Sequence, residues 1–347
     1  MKKAMRTLAL DWATAQVVTA MRERGVPSIL LKGPALTRWL YEKGESRGYA
    51  DIDLLVRDDR VDQAESVLRE LDFERHGLET IAGDWPRYSH TWNRHDGNIS
   101  VDLHRTLVGV GVEPSVLWQV LWGSTETMEV GGVDVDVLEP SARALVVALH
   151  TAKDGPRIGK ARHDLGHAVT RLPLDVWTSA AALAERLEAE GALGAGLRLV
   201  VPEGVELAER LGLSAQPPPD VAIRAAHGAP PLATGMEWFF SSPAGGKTRL
   251  VVRKLFPPVA YVQAWKPLAR KGRLGLGAAY VWRPFWVAWH VLPALRAWVR
   301  TRDAGSPSAS AGRRQIIQPS GREAEPTQEP RPKRPGPDVG GASGPTA

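Results

Sequence analysis

Cysteine is absent from the 347 residues, which excludes disulfides, thiolate metal sites and cysteine nucleophiles. Nowhere do about 18 uncharged apolar residues run together, so no membrane-spanning helix is expected. A signal peptide is not expected either. Lys2, Lys3 and Arg6 are basic, but Asp11, Gln16 and Arg22 interrupt the apolar stretch that would have to follow them. These absences point to a cytoplasmic protein. Acidic residues are also missing from one long stretch, since Ser241 to Arg302 holds twelve Lys or Arg and no Asp or Glu. The net charge is only +5, so the chain ahead of that stretch is net acidic. Such asymmetry says more about partners than the total does. The rest is ordinary for a globular chain: 43% hydrophobic, 24% charged, and long enough for one large domain or two smaller ones.

Hydrophobic spacing predicts a helix over residues 4–24, with Leu8, Trp12, Ala15, Val18 and Met21 on its apolar face. Ser28-Ile29-Leu30-Leu31 reads as a short buried strand running into Lys32-Gly33-Pro34. Pro34 suits the first turn of a helix carrying Leu36, Trp39 and Leu40, with Gly44 as its stop. Asp51 to Val56 is a second strand, followed by a helix that Asp58 or Asp59 would cap. A loop-rich stretch with hairpin pieces and the turn Asp96-Gly97-Asn98 precedes a third strand, Ile99 to His104. Gly131-Gly132 turns into a fourth, Val133 to Val137. From Pro140 the pattern becomes helical, in segments near 141–154, 160–170, 175–190 and 204–212, and Gln216-Pro217-Pro218-Pro219 reads as a linker. Beyond Asp303 almost no large apolar residue remains, so that tail cannot bury enough surface to fold. No internal repeat is found. The expected class is α+β, with a small mixed α/β domain over 1–140, a helical domain over 141–303 and a disordered tail over 304–347.

Asp51 and Asp53 lie two apart on a strand, so both leave the same face. Two carboxylates held together resist joint ionisation unless a cation joins them. Mg²⁺ takes such a site, completing its shell with water and substrate phosphates. Asp102, on a later strand, can join from an adjacent position, and three carboxylates leave room for two ions. Lys32 and the Gly33 turn supply the opposite charge and a close backbone approach for phosphate, and Arg47 adds a second cation. An Asp-x-Asp alone is more often a solvated face, as Asp134 and Asp136 illustrate. They have the same spacing, but they follow a Gly-Gly turn and point away from a clean valine face.

Three segments together resemble the polymerase-beta-like nucleotidyltransferase superfamily, and more closely its branch of uncharacterised bacterial nucleotidyltransferases. They are Leu30-Leu31-Lys32-Gly33-Pro34-Ala35-Leu36, Arg47 through Tyr49 to Asp51-Ile52-Asp53-Leu54-Leu55-Val56, and Val101-Asp102-Leu103-His104. The match covers roughly residues 25–170 and continues weakly through Leu138-Glu139-Pro140, His150 and Asp164-Leu165. It implies a small mixed-sheet nucleotidyltransferase core and transfer of a nucleoside monophosphate from a nucleoside triphosphate to a hydroxyl, with Mg²⁺. In that reading Asp51, Asp53 and Asp102 are catalytic and metal-binding, while Lys32, Gly33, Pro34, Arg47 and His104 bind the nucleotide. Pro34 stands where the commonest superfamily turn has serine, and the gap from Gly33 to Asp51 is longer than usual. The acceptor stays open between a small molecule, a protein and an RNA.

His104 is as well suited to a structural role as to touching phosphate or acceptor. His163 and His167 have a metal-gripping spacing, but no glutamate base or third ligand accompanies them, so structural histidines are favoured. His150, Lys153 and Asp164 are candidates to face the cleft from the helical half. Gly245-Gly246-Lys247-Thr248 lacks the first glycine of a phosphate-binding loop and is set aside. Leu274 to Val299, rich in Trp and basic residues, is broken by Pro284 and Pro293, which argues against one continuous helix. Three readings of 241–302 stay open: a helical hairpin packed on the catalytic part, peripheral contact with an anionic membrane, or a nucleic-acid surface. A catalytically degenerate nucleotide-binding or membrane-surface module is the alternative to the enzyme.

Overall fold

Seven short strands build a mixed sheet, with two different helical layers on its two faces. The computed structural model describes residues 2–42, 45, 47–75, 88–94, 99–156, 159–214, 216–217, 219–225, 232–241 and 243–305. Helix α1 (Lys2–Glu23) leads into β1 (Ser28–Leu30), α2 (Pro34–Leu40), β2 (Asp51–Val56), α3 (Val61–Glu70) and β3 (Phe73–Arg75). Then come β4 (Ser89–Arg94), β5 (Ser100–His104), α4 (Pro114–Trp122), β6 (Thr125–Val130) and β7 (Val133–Leu138). The strand order is β3-β4-β5-β2-β1-β7-β6. β2 runs parallel to β5 and β1 parallel to β7, while the other pairs are antiparallel.

Because successive side chains leave opposite faces, the interior strands β1, β2 and β7 contribute to two cores. Leu30, Ile52, Leu54, Val56, Val101 and Leu103 pack with Leu10, Ala13, Val17 and Met21 of α1 and Ala64, Val67 and Leu68 of α3. Ile29, Leu55 and Leu138 face the other way, into a core shared with α5 (Pro140–Asp154), α7 (Leu174–Arg186) and α8 (Glu190–Leu197). Between these, α6 (Gly159–Arg171) adds Leu165 and Ala168. A single hydrophobic cluster therefore runs from Ile29 to Val221, across residue 140. Gly196 lets α8 lie directly on α5, since a Cβ there would sit 2.1 Å from the Ala148 carbonyl oxygen.

α9 (Glu203–Arg210), α10 (Pro219–Ala225), α11 (Met236–Ser241), α12 (Ala244–Leu255), α13 (Val259–Trp265) and α14 (Arg273–Gly305) complete the described chain. α14 corrects an expectation: it is one helix that contains both Pro284 and Pro293. Each interior proline costs about 3 kcal/mol. Packing offsets that cost, because Ala279 packs with Val262 and Ala269, and Ala294 and Trp298 pack on Ile223 and Ala233 further along. α1 departs too. Leu8 and Trp12 are exposed, whereas Ala15, Val18 and Met21 are buried as expected, together with Leu10, Ala13 and Val17. Asp58 and Asp59 form a 3₁₀ turn without capping α3; instead they pair with Arg105 and Arg57. The segment 175–190 stops at Arg186, because Glu188 adopts φ 50°. Pro219 opens α10 rather than ending a linker. Gly44, the Asp96-Gly97-Asn98 turn and the tail from residue 306 lie outside the described residues.

Candidate active site

The acids reach one place because β2 and β5 are parallel neighbours in register, with Asp53 opposite Asp102 and Asp51 opposite Ser100. Ile52 and Leu54 on β2, and Val101 and Leu103 on β5, are drawn into the α1/α3 core. Their alternates Asp51, Asp53, Asp102 and His104 must then face the α5 side. The chain leaving β1 brings the cation. Leu31 N–H donates to the Asp53 carbonyl at 2.9 Å, and the Lys32 ammonium lies 2.7 Å from Asp53 Oδ1. Gly33 follows at φ 66° and ψ −123°. A Cβ there would meet Tyr49 at an ordinary 3.6 Å, so the turn needs glycine for its backbone angles, not for space. Pro34 starts α2 as expected. Yet α2 has only seven residues and its first residue lacks an N–H, so the helix start offers phosphate less than the sequence suggested.

Asp53 is the hub. It is 2% exposed, and its Oδ1 accepts from Lys32 and, at 3.1 Å, from His104 Nε2. Burial pushes its pKa up, but the Lys32 charge and the His104 hydrogen bond outweigh this and hold it well below the usual carboxylate range. Lys32 is held above its ordinary value by the same pairing, against the pull of burial. Asp51 is treated differently: burial and then repulsion from Asp53 push its pKa up. Thr91 Oγ1 donates to Asp102 Oδ1 at 2.6 Å. Ligand atoms of Asp53, Asp102 and His104 all lie within 4.8 Å of one another.

Lys32, Gly33, Asp51, Asp53 and Asp102 line a cleft of about 300 Å³ whose other wall is helical, and His104 lies behind Asp53 outside its lining. His150, Lys153 and Asp154 come from α5, and Lys160 and Asp164 from α6. His150, Lys153 and Asp164 were candidates on sequence; Asp154 and Lys160 had no sequence signal. Neither Lys153 nor Lys160 pairs with a carboxylate among the described residues. Burial, and then Arg47, lower the Lys160 pKa. Burial, and then Lys32, push His150 well below its ordinary value, and its Nε2 sits 3.3 Å from Asp154. Arg47 lines the cleft but spends its fork on Asp164, with Nε and Nη2 each 2.7 Å from a carboxylate oxygen and Nη1 on Thr37. Tyr41 also donates to Asp164, at 2.6 Å.

The donor set fits a hard cation. Asp53 and Asp102 offer only oxygen atoms, as Mg²⁺ prefers, and Asp51, on the same face of β2 but outside that converging group, has its pKa raised by burial and then by Asp53. His104 fits better as the residue that orients Asp53, since the nitrogen facing the cluster already bonds that carboxylate. Elsewhere, Asp134 is exposed and Asp136 half-buried at a distance from the cleft. His163 and His167 pack edge to face, with Tyr41 stacked on His167. Gly245, Gly246, Lys247 and Thr248 lie inside α12.

A family model described as uncharacterised nucleotidyltransferase matches residues 2–201. No curated protein matches the chain. Among solved structures, the solution structure of the antibiotic-resistance factor ANT(2'')-Ia aligns at 18% identity and TM-score 0.37, covering 55% of this chain and 96% of its own. A crystal structure of ANT(2'')-Ia in complex with adenylyl-2''-tobramycin aligns at 18% identity and TM-score 0.36, covering 49% and 94%. An antigenic nucleotidyltransferase-like protein from Paracoccidioides brasiliensis aligns at 16% identity and TM-score 0.31, covering 53% and 91%.

Proposed function

Since the chain belongs to the uncharacterised nucleotidyltransferase family, we propose that it transfers a nucleoside monophosphate from a triphosphate to an acceptor hydroxyl, with Mg²⁺. Membership makes it a nucleotidyltransferase; the metal, the residue roles and the acceptor chemistry are our reading. One observation carries that reading. Asp53 and Asp102 sit in register on parallel strands beside Asp51, and they face a cleft whose opposite wall presents Lys153 and Lys160.

Asp51, Asp53 and Asp102 would hold Mg²⁺. When bound, the metal neutralises triphosphate charge and stabilises the leaving pyrophosphate. The acceptor oxygen bonds to the α-phosphorus as the bond to the β-phosphate breaks, and pyrophosphate leaves. Asp102, oriented by Thr91, takes the hydroxyl proton. Lys32, Lys153 and Lys160 attract the phosphates, and Gly33 and Pro34 set the turn that aims Lys32. His104 keeps Asp53 in position, while Arg47 acts indirectly by fixing Asp164 and Tyr41. Catalysis is positioning and charge neutralisation. In domain terms, residues 1–140 supply the acids and 141–303 close the cleft.

The test is pyrophosphate release with each triphosphate, ATP first, in the presence of Mg²⁺ and cell extract. Asp51→Asn and Asp102→Asn should each lower it by about 10²–10³-fold, the usual loss for one charge-stabilising group. Undiminished release from both variants would overturn the assignment. A mass gain of one nucleotide identifies the acceptor.

No helix among the described residues is long and apolar enough to cross a membrane. We read the basic stretch 241–302 as a peripheral contact for an anionic membrane from the cytoplasmic side, because Trp282, Phe285 and Trp289 are exposed among its arginines and lysines. Co-sedimentation with anionic but not neutral liposomes tests this, and co-sedimentation with RNA alone would refute it.

A further inference from the structure

Away from the carboxylates, α11, α12, α13 and α14 wall a second cavity of about 490 Å³, within the roughly 300–1,000 Å³ of small-molecule sites. Its walls are apolar, formed by residues such as Phe239, Leu250, Leu255, Val287 and Val291. Two cationic side chains, Arg283 and Lys254, break that surface. Arg283 lines the cavity at 2% exposure, and its Nε donates to the Lys254 carbonyl at 3.0 Å. Its guanidinium carbon lies 4.5 Å from the ring centre of Trp265, 4.7 Å from that of Trp286 and 5.4 Å from that of Tyr261. Its Nη1 is buried without a hydrogen-bond partner.

Aromatic faces soften the burial of a cation, but they leave an N–H unsatisfied and the charge unpaired, which is costly in an apolar setting. No carboxylate among the described residues pairs with Arg283, and 241–302 contains none. Lys254, also on the cavity wall, has its pKa lowered by burial and then by the Arg283 charge. An apolar chamber with one unpaired guanidinium matches a ligand that is apolar along its length and anionic at one end.

We propose that this cavity binds a single-chain amphiphile whose anionic head, a carboxylate or phosphate, pairs with Arg283 while its alkyl chain lies along the α12 and α14 walls. The site stands independently of the nucleotidyl-transfer reading. It also differs from membrane contact, since the ligand enters the protein and not the reverse.

Titration calorimetry on the full chain tests it with dodecanoate, dodecyl phosphate and the neutral methyl ester of dodecanoate, each below micelle-forming concentration. The expected result is saturable binding of one anion per chain, at least about tenfold tighter than the ester, as befits a charged hydrogen bond. The tighter of the two anions identifies the head group. Arg283→Gln should erase the preference for anion over ester. Val287→Trp, which fills the cavity, should abolish binding of both without lowering the melting temperature. If Arg283→Gln does not fold, the wild-type anion-to-ester ratio and Val287→Trp decide. Equal affinity for acid and ester overturns the proposal, as does full binding by Val287→Trp. So does binding to phosphatidylglycerol vesicles with no binding of the free amphiphiles, which would assign the surface to membrane contact.

Discussion

Arg47 and Asp164 should be the most stability-sensitive polar pair in the protein, and the size of the effect follows from their burial. The side chains are 7% and 3% exposed, and the guanidinium grips both carboxylate oxygens at 2.7 Å. Tyr41 adds a third hydrogen bond to the same carboxylate. Removing one partner leaves a buried charge without its counter-ion, a loss of about 3–5 kcal/mol. By contrast, the exposed Arg57–Asp59 pair, at 41% and 61% exposure, should contribute about 0–1 kcal/mol. Urea unfolding followed by tryptophan fluorescence measures both. Arg47→Met and Asp164→Leu singly should each show the large loss, whereas the double variant should recover much of it, because no unpaired charge remains. Turnover should fall with each single change, since Arg47 lies four residues before Asp51 and Asp164 lines the same cleft. A single-variant loss below about 1 kcal/mol, or strict additivity in the double, would refute the argument that burial makes this pair critical.

Three further outcomes are expected. Gly33→Ala should cost about 1–3 kcal/mol through backbone strain alone, because φ 66° disfavours a Cβ although space for one exists; an unchanged melting temperature would count against it. Glu65→Gln should lower the melting temperature at neutral pH, since the His90 hydrogen bond holds the Glu65 pKa below its ordinary 4.5 despite burial. A depressed carboxylate stabilises above its unfolded pKa and loses that contribution as pH falls through the folded value. The gap between wild type and variant should therefore close below about pH 4, and a gap that widens there would contradict the sign. Asp51→Asn should raise the melting temperature in metal-free buffer while lowering turnover, because it removes a carboxylate that burial and Asp53 both disfavour; a destabilised variant would show that Asp51 is compensated after all.

The acids were legible in the sequence because a strand has a period of two, and the residues between them are apolar enough to fix the face. Ile52, Leu54, Val101 and Leu103 all lie in one core, which leaves their alternates no choice of direction. Asp134 and Asp136 share that spacing, but Asp134 is exposed and neither lines the cleft. The spacing therefore tells which residues face together, and the neighbouring strand decides what they face. The helical wall was less legible. α5 is buried nearly all round, including Ala142, Leu145, Val146 and Leu149, so no apolar stripe marks its cleft side. Lys160 sits at the start of α6, where a charged residue is unremarkable by itself. The prolines of α14 misled for a related reason: a local rule was overridden by tertiary packing, which only the folded chain shows.

The unequal surroundings of Asp51 and Asp53 lead to one more expected result. β1 pairs with β2 so that Leu30 lies opposite Leu54, and the Leu31 N–H bonds to the Asp53 carbonyl. Lys32 is thereby delivered to Asp53 and not to Asp51. Asp53 then carries its own cation and a histidine donor, whereas Asp51 feels the repulsion of Asp53 and Asp102 against only partial relief from Lys32 and Lys160. An arriving divalent cation gains most where charge is least balanced. Mg²⁺ should accordingly raise the melting temperature of the wild-type protein, and Asp51→Asn should lose most of that rise. Ligand-linked stabilisation grows as RT ln(1 + [L]/Kd), so a tenfold weaker site costs about 1.4 kcal/mol of it at saturating metal. Differential scanning fluorimetry across a Mg²⁺ series reads the effect directly. An equal rise in wild type and Asp51→Asn would mean that the cation is held without Asp51, and that the acid pair is not the metal site its geometry suggests.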